Sequence, residues 1–169
     1  IAKGYAVDKI ADFLLDEGLQ HFLVEVGGEM RSSGVKPNGD AWRIAIETPN
    51  EGTRDVFDVL ELNDMAIATS GDYRNYFESN GVRYSHTINP KTGYPVNHNL
   101  ASTSVVMSRC MDADAFATAF MAMGLNKALA LANKQQIAAY FIYREDDGFH
   151  VKASDAFVSR FGERVLSKI

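Results

Sequence analysis

The strongest constraint on the fold is a series of short apolar runs, each closed by a turn rich in glycine, asparagine or proline. Glycine and asparagine supply positive φ at little steric cost, so Lys36-Pro37-Asn38-Gly39-Asp40, Ser79-Asn80-Gly81 and Asp146-Asp147-Gly148 predict tight connections between strands. Strands joined in this way run antiparallel. The predicted strands cover residues 22–26, 30–33, 42–47, 56–62, 65–69, 73–77, 82–85, 103–107, 137–143 and 149–152.

Apolar residues at helical spacing mark the remaining elements. Helices are predicted over 5–17, ending at Gly18, over 112–123, ending at Gly124, over 126–134, and in a short segment after Ser154. Strands outnumber helices and connect mostly as hairpins. The expected fold class is therefore α+β, with a largely antiparallel sheet and packed helices.

Composition limits the partners. The 169 residues carry 17 Lys and Arg against 22 Asp and Glu, a net charge of −5, which argues on electrostatic grounds against a general nucleic-acid or anionic-membrane binder. Cys110 is the single cysteine, so neither an internal disulfide nor a cysteine-rich metal site is expected. The chain starts at Ile1 with no Met and no signal-like segment, and we interpret it as a fragment.

Three glycine-bearing segments are candidates for binding an anionic ligand. Ser70-Gly71-Asp72 and Gly27-Gly28 each follow an apolar strand, where backbone N–H groups can approach a phosphate. Each is also ordinary turn chemistry, and for Ser70-Gly71-Asp72 a plain turn is the commoner meaning. Lys3, Gly4 and Asp8 offer a cation, a flexible step and an acceptor at the head of the first helix, or simply a solvated helix start.

His86 is the candidate general base. It lies where a strand enters a long loop punctuated by proline and glycine, and imidazole titrates near neutral pH. A histidine that is hydrogen-bonded in a turn and has no catalytic role is the alternative. His98, near the same loop, is a weaker second candidate, and His21 and His150 are predicted at the surface.

Asp114 and Thr118 are the candidate metal ligands. They lie four residues apart on one face of an alanine-rich helix, and a carboxylate with a hydroxyl suits Mg²⁺. Acidic residues also favour the first turn of any helix, and Thr118 can hydrogen-bond to its own helix, so a structural explanation competes. We expect Asp112 to be the N-cap, which leaves Asp114 for a metal.

Taken in order, these segments resemble the ApbE family of FAD:protein FMN transferases. The matching stretches are Ala2-Lys3-Gly4-Tyr5-Ala6-Val7-Asp8, Val24-Glu25-Val26-Gly27-Gly28-Glu29, Ala68-Thr69-Ser70-Gly71-Asp72-Tyr73-Arg74, His86-Thr87-Ile88-Asn89-Pro90 with Thr92-Gly93-Tyr94-Pro95, and Ala113-Asp114-Ala115 with Ala117-Thr118-Ala119. Five ordered motifs make a specific match. Many members have Asp where Asn89 stands, and residues 125–169 resemble the family only in general pattern.

The resemblance implies a Mg²⁺-dependent enzyme. It would cleave the pyrophosphate of FAD, transfer FMN to a Thr or Ser hydroxyl of an acceptor flavoprotein subunit of a membrane redox complex, and release AMP. There are two alternatives: an FAD pyrophosphatase that yields FMN and AMP, and a non-catalytic FAD-binding protein. The family's location implies a periplasmic or exported inner-membrane lipoprotein whose only membrane contact is a lipid anchor outside this chain.

The resemblance also assigns roles to residues. Asp114 and Thr118 match the family's metal ligands, and His86 matches the residue that takes the acceptor's proton. Residues that would line FAD are Lys3, Gly4, Asp8, Gly27, Gly28, Ser70, Gly71 and Asp72. Residues 1–169 would form the C-terminal portion of an ApbE-like domain, with the N-terminal part absent.

Overall fold

The computed structural model describes residues 1–50, 55–72, 76–79 and 82–163. Within these ranges the chain forms four helices: α1 (Ala2–Asp16), α2 (Cys110–Met123), α3 (Leu125–Gln135) and α4 (Asp155–Phe161). None of these helices is both long enough and apolar enough to cross a bilayer. Ser154 caps α4, its hydroxyl accepting from the N–H of Phe157, which confirms the short helix predicted there.

Ten strands complete the described part of the chain. They are β1 (Phe22–Val26), β2 (Glu29–Ser33), β3 (Trp42–Glu47), β4 (Val56–Leu62), β5 (Ala66–Gly71), β6 (Tyr76–Ser79), β7 (Val82–Ser85), β8 (Leu100–Met107), β9 (Ala138–Glu145) and β10 (Gly148–Ala153).

The strands form one large sheet and two hairpins. The large sheet has the order β1-β2-β5-β8-β9-β10, and every neighbouring pair in it is antiparallel. Strands β3 and β4 form one separate antiparallel pair, and β6 and β7 the other. The predicted α+β class with a largely antiparallel sheet is thereby confirmed.

Strands β8 and β9 are buried on both faces. In β9, Phe141 and Tyr143 pack towards α2 and α3, whereas Tyr140 and Ile142 pack towards β3, β4 and α4. Successive side chains of a strand point to opposite faces, so a strand covered on both sides is apolar throughout. This layering explains why the sequence of β9 shows an unbroken apolar run instead of alternation.

Some predicted boundaries and one cap are wrong. Helix α1 begins at Ala2, three residues earlier than its apolar spacing indicated. Ser70 and Gly71 are the last residues of β5, paired with Thr103 and Ser102 of β8, and do not form a turn. Asp112 is not the N-cap of α2, since it lies within the first helical turn. Residues 73–75 and 80–81, which include parts of the predicted β6 and its turn, lie outside the described residues.

Candidate functional site

Helices α1 and α2 meet at Gly4. A β-carbon on Gly4 would overlap the carbonyl group of Cys110, whose carbon would lie 2.7 Å away, and would come within 2.8 Å of Met111 Cα. Only a residue without a side chain allows this approach. We call this contact region, with the first turns of both helices, the α1–α2 junction; it explains a glycine inside a helix where propensity disfavours it.

Asp114 lies in the α1–α2 junction and is almost completely buried. Its Oδ2 accepts a hydrogen bond from the backbone N–H of Gly4 at 2.9 Å, a group that a helix start leaves without an intrahelical partner. The amino-terminal nitrogen of Ile1 lies 2.8 Å from the same oxygen. Within the described residues Asp114 Oδ1 makes no hydrogen bond. The carboxylate therefore caps α1 with one oxygen, and its other oxygen accepts no hydrogen bond from the described residues.

Asp8 is the reciprocal cap. Its Oδ1 and Oδ2 accept from the N–H groups of Cys110 and Met111, both at 2.9 Å, at the start of α2. Arg31 Nη1 lies 3.1 Å from Asp8 Oδ1 and also reaches Asp12. Arg109, the residue before α2, provides no side-chain cap. Asp8 thus uses both oxygens on the protein, which Asp114 does not.

The two predicted metal ligands differ in exposure but share a face of α2. Thr118 is exposed one turn beyond Asp114, and its Oγ1 lies 3.2 Å from the hydroxyl of Ser70 at the end of β5. Strand β5 packs against α2, which brings these residues together from positions 48 apart in the chain. Asp114 Oδ1 and two hydroxyl oxygens are hard oxygen donors, and such a set fits Mg²⁺.

The Gly27-Gly28 segment is a two-residue hairpin turn between β1 and β2. Both glycines have positive φ, +60° and +98°, and Val26 pairs with Glu29 across them. Positive φ at both central positions is typical of a type I′ turn, which suits the twist of a hairpin. The turn lies beside α1, because the Lys3 ammonium is 3.3 Å from the carbonyl oxygen of Gly27.

Glu29, the residue after that turn, is buried and binds Lys3. Its Oε1 accepts from Lys3 Nζ at 2.7 Å, whereas Oε2 is buried with no hydrogen-bond partner among the described residues. Burial raises the pKa of Glu29; the Lys3 ammonium opposes this effect and the nearby charge of Asp114 adds to it. Sequence reasoning quoted Glu29 within a motif but missed it as a site residue.

Asp72 is held by an arginine that sequence reasoning also missed. Arg144, near the end of β9, binds it through two hydrogen bonds, Nη1 to Oδ2 at 2.9 Å and Nη2 to Oδ1 at 2.8 Å. Asp72 N–H also donates to the carbonyl of Ala101. A bidentate pair of this kind fixes orientation as well as position. No local sequence pattern signals a pairing between residues 72 positions apart.

The two histidines of the long loop lie in different surroundings. His86 directly follows β7 and is exposed. Within the described ranges no hydrogen bond joins it to Asp114 or Thr118, so its role as a base stays a prediction. His98 Nε2 lies 2.7 Å from the carbonyl oxygen of Met121 in the last turn of α2, a structural role at that helix end.

A second cluster of ligand-type groups lies at the tip of the β9–β10 hairpin. Among the described residues, Glu145, Asp147 and His150 are the group whose carboxylate and imidazole atoms all lie within 4.8 Å of one another. Asp147 Oδ1 is 2.7 Å from His150 Nε2, and this hydrogen bond raises the pKa of His150. Both carboxylates are exposed. Glu145 Oε2 lies 3.8 Å from the same imidazole nitrogen.

Comparison with known proteins gives a family match. The model of the ApbE family matches residues 1–141. A protein of Vibrio cholerae called FAD:protein FMN transferase is 49% identical over 157 residues, covering 93% of this chain and 47% of its own length. Its Escherichia coli K12 namesake is 40% identical over 159 residues, covering 94% of this chain and 45% of its own.

Solved structures give the same match in three dimensions. The apo form of the flavinyl transferase ApbE of Pseudomonas stutzeri superposes with a TM-score of 0.84 at 46% identity, over 96% of this chain and 50% of that one. The ApbE protein of Thermotoga maritima superposes with a TM-score of 0.81 at 33% identity, over 96% of this chain and 52% of that one. The chain thus spans about half the length of the curated relatives it matches.

Proposed function

The chain belongs to the ApbE family, and we propose that its protein is an FAD:protein FMN transferase. The relatives that carry this name match nearly the whole chain. In the proposed reaction Mg²⁺ is required, the acceptor is a Thr or Ser hydroxyl, and AMP is released. The observation that carries the proposal is the α1–α2 junction, where Asp114 is buried but one of its oxygens accepts no hydrogen bond from the described residues.

Asp114 and Thr118 would hold the Mg²⁺, with the Ser70 hydroxyl beside them. A bound Mg²⁺ supplies Lewis-acid stabilisation of the charge on the pyrophosphate oxygens. The capping bond from the Gly4 N–H to Asp114 Oδ2 fixes the carboxylate, so Oδ1 keeps one orientation. A ligand that is held before binding loses little conformational entropy when it binds.

The transfer itself needs few groups. The acceptor hydroxyl oxygen forms a bond to the phosphorus of the FMN half of FAD, and the bond from that phosphorus to the bridging oxygen of AMP breaks. The hydroxyl proton passes to an imidazole nitrogen of His86, and AMP leaves with the bridging oxygen. Phosphoryl transfer depends mainly on positioning and charge stabilisation, which these residues would provide.

The remaining predicted residues divide into two groups. Lys3 is half-exposed and would reach the pyrophosphate, with Gly27, Gly28, Ser70, Gly71 and Asp72 lining FAD nearby. Gly4 and Asp8 are buried against α2. We therefore assign Gly4 and Asp8 to holding α2 and Asp114 in place, and not to contact with FAD.

Partner and location are extensions of the same proposal. The acceptor would be a flavin-bearing subunit of a membrane redox complex, and the protein would work in the periplasm or outside the cell as a lipid-anchored protein. The net charge of −5 agrees with a partner that is not a nucleic acid.

The test is a transfer assay read by mass. The purified protein is incubated with FAD, Mg²⁺ and an acceptor domain that carries the target threonine, and the acceptor is weighed. We expect a gain of one FMN, lost when a chelator removes Mg²⁺ and lost when the acceptor threonine is replaced by alanine.

Two other results would point elsewhere. Free FMN and AMP with an unchanged acceptor would contradict transfer and support an FAD pyrophosphatase. Intact FAD that stays bound, with neither product, would contradict catalysis and support a binding protein.

A further inference from the structure

We propose that Glu29 is the residue that positions Lys3 for FAD. This inference rests on the proposed function, in which the Lys3 ammonium meets the pyrophosphate. Glu29 would act through Lys3 and would not itself touch FAD, so it is a positioning residue.

Contacts with the Gly27-Gly28 turn and with Glu29 restrict the side chain of Lys3. Lys3 leaves the first turn of α1, passes over the Gly27-Gly28 turn, and ends at Glu29 Oε1, 2.7 Å from Nζ. A β-carbon on Gly27 would lie 3.1 Å from Lys3 Cδ, so a side chain there would press on the lysine stem. The carbonyl of Gly27 accepts a second, longer bond from the ammonium. Two acceptors thus hold one mobile side chain.

The burial of the pair is strongly unequal. The side chain of Lys3 is 53% exposed, whereas that of Glu29 is 3% exposed. Glu29 Oε2 is buried with no hydrogen-bond partner among the described residues. A buried carboxylate with an unsatisfied oxygen lowers the stability of a fold. Stability alone does not explain Glu29, and holding Lys3 does.

Lys3 also affects the charge that an anionic ligand meets at this site. The Asp114 carboxylate is close enough to Glu29 to act on it electrostatically. Two carboxylates near each other repel a pyrophosphate unless cations stand between. Lys3, held by Glu29 at this point, supplies one such cation.

The test separates positioning from support of the fold by using variants of both partners. Glu29→Met removes the buried charge and leaves a hydrated lysine, so we expect an unchanged or higher unfolding temperature. Lys3→Met leaves the buried carboxylate without its cation, so we expect a lower unfolding temperature. The double variant, which lacks both charges, should recover most of this decrease.

Affinity for FAD, followed by flavin fluorescence, gives the functional readout. Each single variant should weaken binding by about tenfold, the scale of one charged hydrogen bond. The double variant should bind no worse than Lys3→Met, because Glu29 acts through Lys3. Glu29→Gln keeps an acceptor oxygen and should lose less. Glu25→Met and Lys9→Met, both exposed on β1 and α1, are the matched controls.

Distinct outcomes separate this inference from the proposed function. If the protein transfers FMN while Glu29→Met binds FAD as tightly as the wild type, or if the two losses multiply in the double variant, the positioning role is overturned. If FAD affinity follows the expected pattern but no FMN reaches an acceptor, the proposed function fails and the positioning role stands.

Discussion

Acidic side chains cluster at the α1–α2 junction and at the tip of the β9–β10 hairpin, but the two clusters differ in burial and in hydrogen bonding. At the junction Asp8 and Asp114 are buried and capped onto helix starts, with Glu29 buried beside them. At the tip Glu145 and Asp147 are 53% and 76% exposed. Among the described residues, the tip is where three carboxylate and imidazole ligand atoms lie within 4.8 Å of one another.

The difference shows that proximity of carboxylates is weak evidence for a binding site. An exposed carboxylate is stabilised by water and needs no further partner, whereas a buried one must be compensated by donors. At the junction this compensation is complete for Asp8 and incomplete for Asp114 and Glu29. Unused acceptor atoms on buried groups therefore point to function more strongly than the number of acids.

The largest effect should come from breaking the junction at its closest contact. Gly4→Ala places a β-carbon against the backbone of Cys110, which cannot move without shifting α2. We expect a loss of about 3 kcal/mol in the free energy of unfolding, at the upper end for an overpacked core. Denaturant unfolding measures it, with Lys9→Ala on the exposed side of α1 as control. Unchanged stability would mean that the helices do not meet as described.

The next effect comes from an isosteric change at Asp8. Both oxygens of Asp8 accept from backbone N–H groups of α2, so Asp8→Asn turns one acceptor into a donor that faces another donor. The expected loss is about 2 kcal/mol. Asp16→Asn, at the exposed end of α1, is the control. An equal stability of both variants would contradict the capping role of Asp8.

A smaller effect is expected at Arg144, next to the hairpin tip. Arg144→Lys keeps the charge but loses the paired hydrogen bonds to Asp72. The pair is partly exposed, so the loss should be about 1 kcal/mol. The change should also weaken FAD binding if Asp72 lines the ligand. Arg43→Lys, on the exposed side of β3, is the control and should change neither the stability nor the FAD affinity.

The smallest effect is expected at the tip itself. The hydrogen bond that His150 donates to the Asp147 carboxylate raises the pKa of His150 above its ordinary value. This bond therefore stabilises the folded chain at pH below that ordinary value, and the stabilisation is lost as pH rises through the raised pKa. Asp147→Asn should bring the pKa of His150 down, as measured by NMR titration, with FMN transfer unaffected. A tip that serves as the metal site would instead lose transfer.

Most elements could be predicted from the sequence, because their signals are local. The turns at Gly39 and Gly148, the helix stop at Gly124 and the cap at Ser154 are each specified by residues within a few positions. The Gly4 N–H in the first turn of α1 pairs with Asp114, more than a hundred residues away in the sequence. A local sequence pattern cannot indicate a hydrogen-bond partner that is so distant in the chain.

Residue types and motifs predict which residues belong to the candidate site, but not which contacts each of them makes there. Asp114, Thr118 and Ser70 were named from residue type and motif, and the fold places them on neighbouring turns of α2 and the end of β5. The sequence could not show that Asp8 accepts hydrogen bonds through both oxygens and Asp114 through only one. It also could not show that Glu29 binds Lys3, or that Arg144 binds Asp72. These facts depend on tertiary packing.

The most direct test of the account is Asp114→Asn, with unfolding and Mg²⁺-dependent FMN transfer measured on the same preparation. Asparagine can still accept from the backbone N–H of Gly4 through its one carbonyl oxygen, but it loses the charge that a metal needs. We expect an unfolding temperature within a few degrees of the wild type and transfer lowered by about a hundredfold or more. Transfer at the wild-type rate by the folded variant would contradict the account.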